Sequence, residues 1–215
     1  MEPFLPPTMV WPPGETRWHC YALPDRIRDP ALADLIDRTR AAALAAAADA
    51  LAPVEDQWAH ATVHMISRPA AELAPGAVQA LASTLTRSLA GLPAFRLPAG
   101  SASAGTGSVL LGLNEDVPGR PWNTLSGLVD QAIGAHFGPR AQQYRPPPPH
   151  LSMAYCAKPT DTAAIESSLQ TVRAAQQPTK AWMTINEVYL VDVHQDAIAH
   201  TYTWNKETAI RIPLA

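Results

Sequence analysis

A chain of 215 residues with 47% hydrophobic and 16% charged side chains can bury a core but is too short for more than one or two compact domains, which excludes a disordered chain and a large multidomain assembly. Its 16 Lys plus Arg against 19 Asp plus Glu leave a net charge of -3, so no basic field exists to hold long nucleic acid by counterion release. Two cysteines, Cys20 and Cys156, make neither a disulfide framework nor a metal knuckle, and a reduced, cytoplasmic setting is expected.

Residues 1–17 carry Pro3, Pro6, Pro7, Pro12 and Pro13, which deny them helix or central strand and predict an extended Pro-rich arm on the surface. Glu2 and prolines stand where a secretory signal would have a positive segment. The longest apolar run, Ala41 to Ala48, falls far short of the ~20 residues a bilayer span needs, so no membrane segment is expected. Trp18 to Leu23 reads as a strand bounded by Pro24 and Asp25. Asp29 followed by Pro30 opens a long alanine-rich helix ending at Pro53. Gln57 to Ile66 reads as a strand; Pro75 opens a second helix that Gly91 stops, and Ala94 to Leu97 is a further short strand.

After a small-residue loop, Gly100 to Gly107, the second half starts again with a strand at Val109 to Leu113. Asn123 caps a helix that stops at Gly138, and Pro146 to Pro149 form a stiff polyproline run leading into a strand at His150 to Tyr155. Asp161 or Thr160 caps a last helix, and Trp182 to Val193 and Tyr202 to Leu214 supply closing strands. Each half therefore reads strand, helix, strand, helix, strand. From Trp18 to His60 is 42 residues and from Val109 to His150 is 41, a match that points to internal duplication. The expected fold class is α+β: bilobal, with two pseudo-symmetric antiparallel sheets and flanking helices around a central cleft. One bilobal domain spans residues 18–215, with lobe one at about 18–100 and lobe two at about 108–215.

At equivalent places stand His60-Ala61-Thr62-Val63 and His150-Leu151-Ser152-Met153. The side-chain period of a strand is two, so each strand offers an imidazole and a hydroxyl on one face and apolar residues on the other. An imidazole with a pKa near ~6.5 works as general base or general acid near neutral pH. A facing pair can take a proton from an attacking oxygen and return one to a leaving oxygen, which suits displacement at phosphorus. Thr62 and Ser152 would donate to the non-bridging oxygens as charge builds. A histidine-histidine-carboxylate metal site is the rival, but no HExxH motif or facial triad is present, so neither metal nor cofactor is expected.

At these residues the chain resembles the two-histidine phosphoesterase superfamily, whose members carry one HxTx or HxSx motif per lobe, and within it the bacterial branch named for 2′-5′ RNA ligase and cyclic nucleotide phosphodiesterase activity. The matching pieces are Trp18 to Pro24, His60 to Val63, and HLSMAY at His150 to Tyr155. The resemblance implies metal-free chemistry at a 2′,3′-cyclic phosphate or a 2′-5′ linkage, reversible as ligation, on a small nucleotide or an RNA end. By position, His60 and His150 inherit the acid and base roles, and Thr62 and Ser152 the phosphate contacts. Four further residues are candidate substrate contacts: His64, at the next same-face position after Thr62; Arg145, one of the cations nearest the motifs in sequence; and His19 and Tyr155, which could stack on a base. The other readings are a fold recruited to a specialised metabolic step on a non-RNA substrate and a nucleotide-binding module without turnover. A monomer is expected.

Overall fold

The structure is a computed structural model that describes residues 1–175 and 180–215. Its first half runs β1 (Thr16–Ala22), α1 (Pro30–Ala47), β2 (Leu51–Pro53), β3 (Ala61–Met65), α2 (Ala77–Leu89), β4 (Phe95–Ala104) and β5 (Ser108–Leu113). The second runs α3 (Pro121–Phe137), β6 (His150–Cys156), α4 (Thr162–Ala175), β7 (Ala181–Ile185), β8 (Glu187–Asp196), β9 (Thr201–Trp204) and β10 (Ile210–Pro213). Two antiparallel sheets result: one has the order β10-β8-β1-β3, with β9 added on β8, and the other the order β2-β6-β5-β4-β7. Helices α2 and α3 pack with the first sheet and α1 and α4 with the second, and β3 and β6, the two histidine strands, approach one another. The fold is the expected α+β pair of antiparallel sheets.

The lobes are not the two halves of the chain, and this corrects the ranges 18–100 and 108–215. Strand β4 leaves the first half to pair with β5 and β7, while β8, β9 and β10 return from the second half to pair around β1. Asn186, between β7 and β8, is where the second half of the chain passes from one sheet to the other. Alternation along a strand reports which face is buried and says nothing about which sheet receives the strand, so the repeat of element order was visible and the exchange of strands was not.

Local differences have local causes. Helix α1 stops at Ala47, and Leu51–Pro53 is an edge strand on β6, a place where proline's missing N–H leaves no ladder bond broken. Asp29 precedes Pro30 as expected but does not cap its own helix; its carboxylate accepts from the Thr184 amide at 2.7 Å and the Thr184 hydroxyl at 2.9 Å, which ties α1 to β7. The small residues after Gly100 continue β4 as far as Ala104, with Ala99 and Ala102 buried in the sheet. Helix α3 starts at Pro121, behind Arg120 at φ 43°, two residues before Asn123. Only Ala61–Met65 of the segment 57–66 is strand, because Asp56–Trp58 forms a 3-10 turn.

The N-terminal residues do not lie loosely on the surface. Leu5 is buried, and Phe4 stacks on Tyr155 with ring centroids 4.1 Å apart. Pro7–Met9 form a single 3-10 turn, and β1 begins two residues earlier than expected, at Thr16. Among the described residues, no helix is long and apolar enough to cross a membrane.

Candidate active site

Strand β3 pairs with β1 as Ala61↔Ala22, Thr62↔Tyr21, His64↔Cys20 and Met65↔His19, which leaves Val63 without an opposite residue. Strand β6 pairs with β5 as His150↔Gly112, Leu151↔Leu111, Ser152↔Leu110, Ala154↔Val109 and Tyr155↔Ser108, which leaves Met153 without one. Both motif strands therefore carry a β-bulge at the same place, the fourth residue of the motif. An extra residue resets the alternation beyond it. His60, Thr62 and Met65 all line one cavity, and so do His150, Ser152 and Tyr155.

The bulge decides two of the expected substrate contacts. Plain alternation from His60 would put His64 in the cavity; the extra residue turns it to the other face. There His64 is 2% exposed, with Nε2 3.1 Å from the Asp130 carboxylate of α3, and it does not line the cavity. The same reset brings Tyr155 into the cavity wall, where alternation alone would have sent it to the core.

The cavity has a volume of about 510 Å³ and holds both motif histidines, both motif hydroxyls, His19 and Tyr155. It lies within the usual size range of a small-molecule site. The Nδ1 of His60 is 2.7 Å from the carbonyl oxygen of Trp58, and the Nδ1 of His150 is 2.9 Å from that of Pro148. A carbonyl only accepts, so each Nδ1 carries the proton and donates it two residues back along the chain. Each ring is thereby held in one tautomer, with Nε2 left for the cavity.

The two imidazoles differ in setting. The ring of His60 lies on Tyr21 at 3.9 Å with an interplanar angle of 21°, and Trp204 meets it edge-on at 5.6 Å. Burial pushes the His60 pKa down to about 4; the carbonyl of Trp58 opposes this, and positive charge on His150 adds to it. His150 stands at the head of β6, half-buried, and among the described residues no aromatic ring packs against it. The place that Tyr21 takes opposite Thr62 is taken by Leu110 opposite Ser152.

His19 is 7% exposed and lines the cavity. Its Nδ1 shares a hydrogen bond of 2.7 Å with the Tyr21 hydroxyl, and its Nε2 has no partner. Burial, followed by charge on His60 and on Arg17, holds its pKa well below the ordinary imidazole value. Arg145 is outside the cavity lining; its guanidinium donates to the carbonyls of Gln142 and Tyr144, as expected of an exposed loop cation whose nearest acceptors are its own backbone. The cation that does reach the cavity is Arg17, which sequence reading passed over although Arg17, His19 and Tyr21 follow the period of two along β1. Arg17 is paired with Glu15 at 2.7 Å and lies 5.0 Å from the Trp11 ring. Among the described residues, no group of three or more His, Cys, Asp or Glu side chains is gathered to hold a metal ion.

The arrangement is a pair of tautomerically fixed imidazoles with a hydroxyl donor beside each, in a cavity with several aromatic side chains in its wall. The family model described as the 2′-5′ RNA ligase superfamily matches residues 28–197. Among solved structures, one titled a phosphoesterase is similar at a TM-score of 0.58 and 16% identity, covering 93% of this chain and 99% of that one. The protein TT0787 of Thermus thermophilus is similar at 0.59 and 14%, covering 91% and 97%. E. coli LigT in its apo form is similar at 0.56 and 18%, covering 92% and 97%. At such identities these likenesses establish the fold. No curated protein matches the chain.

Proposed function

The chain belongs to the 2′-5′ RNA ligase superfamily, and on that premise we propose that it is a metal-independent phosphoesterase that opens a 2′,3′-cyclic phosphate, or cleaves a 2′-5′ phosphodiester, of a small nucleotide by two-histidine acid-base catalysis. The observation that carries this reading is the paired tie of each Nδ1 to a backbone carbonyl, which fixes both rings and leaves their Nε2 atoms for one cavity.

His60 is neutral near pH 7, since its pKa sits at about 4, and serves as the base. Its Nε2 takes a proton from water as the water oxygen bonds to phosphorus. The bond from phosphorus to the leaving ribose oxygen breaks, and His150, as the acid, gives that oxygen a proton from Nε2. Read backwards, the same transfers join an alcohol to a phosphate. Thr62 and Ser152 donate to the non-bridging oxygens, whose negative charge grows in the transition state.

His19 adds a third donor. The buried Tyr21 hydroxyl keeps its proton, because burial pushes its pKa well up, and it donates that proton to His19 Nδ1. The proton of neutral His19 then sits on the unpartnered Nε2, where it can bind a substrate oxygen. Tyr155 supplies a ring face to the group attached to phosphorus. That E. coli LigT has been solved with NADP+, 3′-AMP and ATP supports a small nucleotide as the ligand class.

The deciding assay is hydrolysis of 2′,3′-cyclic AMP with and without EDTA. The expected result is turnover that EDTA leaves unchanged and that His60→Ala or His150→Ala each cut by about 10² to 10⁴. Turnover that survives both substitutions would overturn the mechanism.

A further inference from the structure

Fifteen residues precede β1, and they bridge the two sheets across the mouth of the cavity. At one end they are fixed to the His150 sheet and its flank. The Met1 amine donates to the Thr160 carbonyl at 2.6 Å and the Thr162 hydroxyl at 2.7 Å. The Glu2 amide donates to the Thr106 carbonyl and the Phe4 amide to the Cys156 carbonyl, each at 2.8 Å. At the other end, before the chain runs on into β1, the side chain of Gln195 on β8 of the His60 sheet binds them: it accepts from the Trp11 amide at 2.7 Å and donates to the Met9 carbonyl at 3.1 Å. Between these anchors Phe4, Thr8, Met9, Val10 and Trp11 line the same cavity as His60 and His150. The family model begins at residue 28, so this arm is outside what it matches.

The arm changes what the cavity can accept. Phe4 faces Tyr155 and meets Tyr202 edge-on at 5.8 Å; Trp11 meets Tyr202 at 5.8 Å and His19 at 5.9 Å. Met9 and Val10 are 53% and 40% exposed, so the rim itself offers apolar surface to a ligand. A polynucleotide end would bring a further phosphate for every residue beyond the first, and a binder of such a strand uses a cationic groove to follow it. Arg17 is the cation in the lining, and its charge is already met by Glu15. Planar rings, by contrast, find several aromatic faces and edges.

Resting on the phosphoesterase reading, we infer that the N-terminal arm is the specificity element of this site: it roofs the cavity into an aromatic chamber for one nucleoside-sized phosphodiester, with a single phosphoryl group at the histidines and a planar ring against the arm, and it excludes the end of an RNA chain.

The test compares 2′,3′-cyclic AMP with a tetranucleotide ending in the same cyclic adenosine phosphate, as kcat/KM of the full chain. The wild-type protein is expected to favour the mononucleotide at least about tenfold. Gln195→Ala, which frees the arm at both of its bonds to β8, is expected to raise the tetranucleotide value about tenfold while the mononucleotide value moves less than about threefold. Trp11→Ala is expected to raise KM for the mononucleotide with little change in kcat. Equal use of both substrates by the wild-type protein, or an unchanged ratio in Gln195→Ala, would overturn the inference. If neither substrate turns over, the failure belongs to the phosphoesterase reading. The arm is then judged by tryptophan quenching with 3′-AMP and a tetranucleotide 3′-phosphate: equal affinities in the wild-type protein, or a preference that Gln195→Ala leaves unchanged, reject it, and a preference for 3′-AMP that Gln195→Ala removes by tightening the tetranucleotide supports it.

Discussion

Strands β3 and β6 repeat one another even in their irregularity. Each leads with a histidine whose Nδ1 is tied to the carbonyl two residues back, places a hydroxyl two residues on, and bulges at the fourth motif position. They differ in what the neighbouring strand sets beside them: β1 brings Tyr21 and His19 where β5 brings Leu110 and Ser108. One imidazole lies against an aromatic ring, with its pKa pushed down to about 4; against the other, among the described residues, no aromatic ring packs. The lesson is that a duplicated scaffold can supply two similar groups in unlike settings, because the setting is made by the adjacent strand.

The comparison breaks most visibly if either histidine is dispensable. His60→Ala and His150→Ala are each expected to cost about 10² to 10⁴ in kcat, and the double variant little more than the worse single one, since the two act as a unit. A double variant whose loss is the product of the singles would show that they work apart. Next come the hydroxyls: Thr62→Val and Ser152→Ala are each expected to lower kcat by about 10² with a smaller change in KM, as for donors that act mainly in the transition state.

A sharper probe exchanges the neighbour. Tyr21→Leu gives Thr62 the cross-strand partner that Ser152 already has and removes the ring that lies on His60. In the native protein His60 is neutral at every pH above about 4, so the acid limb of kcat/KM is expected near that pH. In the variant it is expected to move up toward the ordinary value of ~6.5. A limb that stays put would remove Tyr21 as the cause of the difference. The smallest catalytic effect belongs to His64, which the bulge turns away from the cavity: His64→Ala is expected to leave kcat/KM within about threefold and to cost about 1 to 3 kcal/mol of stability, read by denaturant unfolding, through the lost packing and the lost contact with Asp130.

Much of this was legible from residues alone. The paired motifs, their matched spacing and the α+β alternation rest on side-chain types and on the period of two, which a sequence displays directly. The bulges at Val63 and Met153 are invisible to that period, and so His64 was expected in the cavity that Met65 occupies. Arg17 carried a usable signal, two places before His19 on one strand face, but distance in sequence from the motifs drew attention to Arg145. The arm, rich in proline, announced only that it was neither helix nor central strand; its anchoring hydrogen bonds are made with residues more than a hundred positions away, which no local pattern encodes.

The exchange of strands between sheets has a consequence for how the protein comes into being. The layer that holds His60 is completed by β8 and β10, both of which come after β6 in the chain. β1 therefore depends on a partner from the second half of the chain, as β6 and β5 depend on β2 and β4 from the first, so neither layer is complete without strands from both halves and each closes long loops to form.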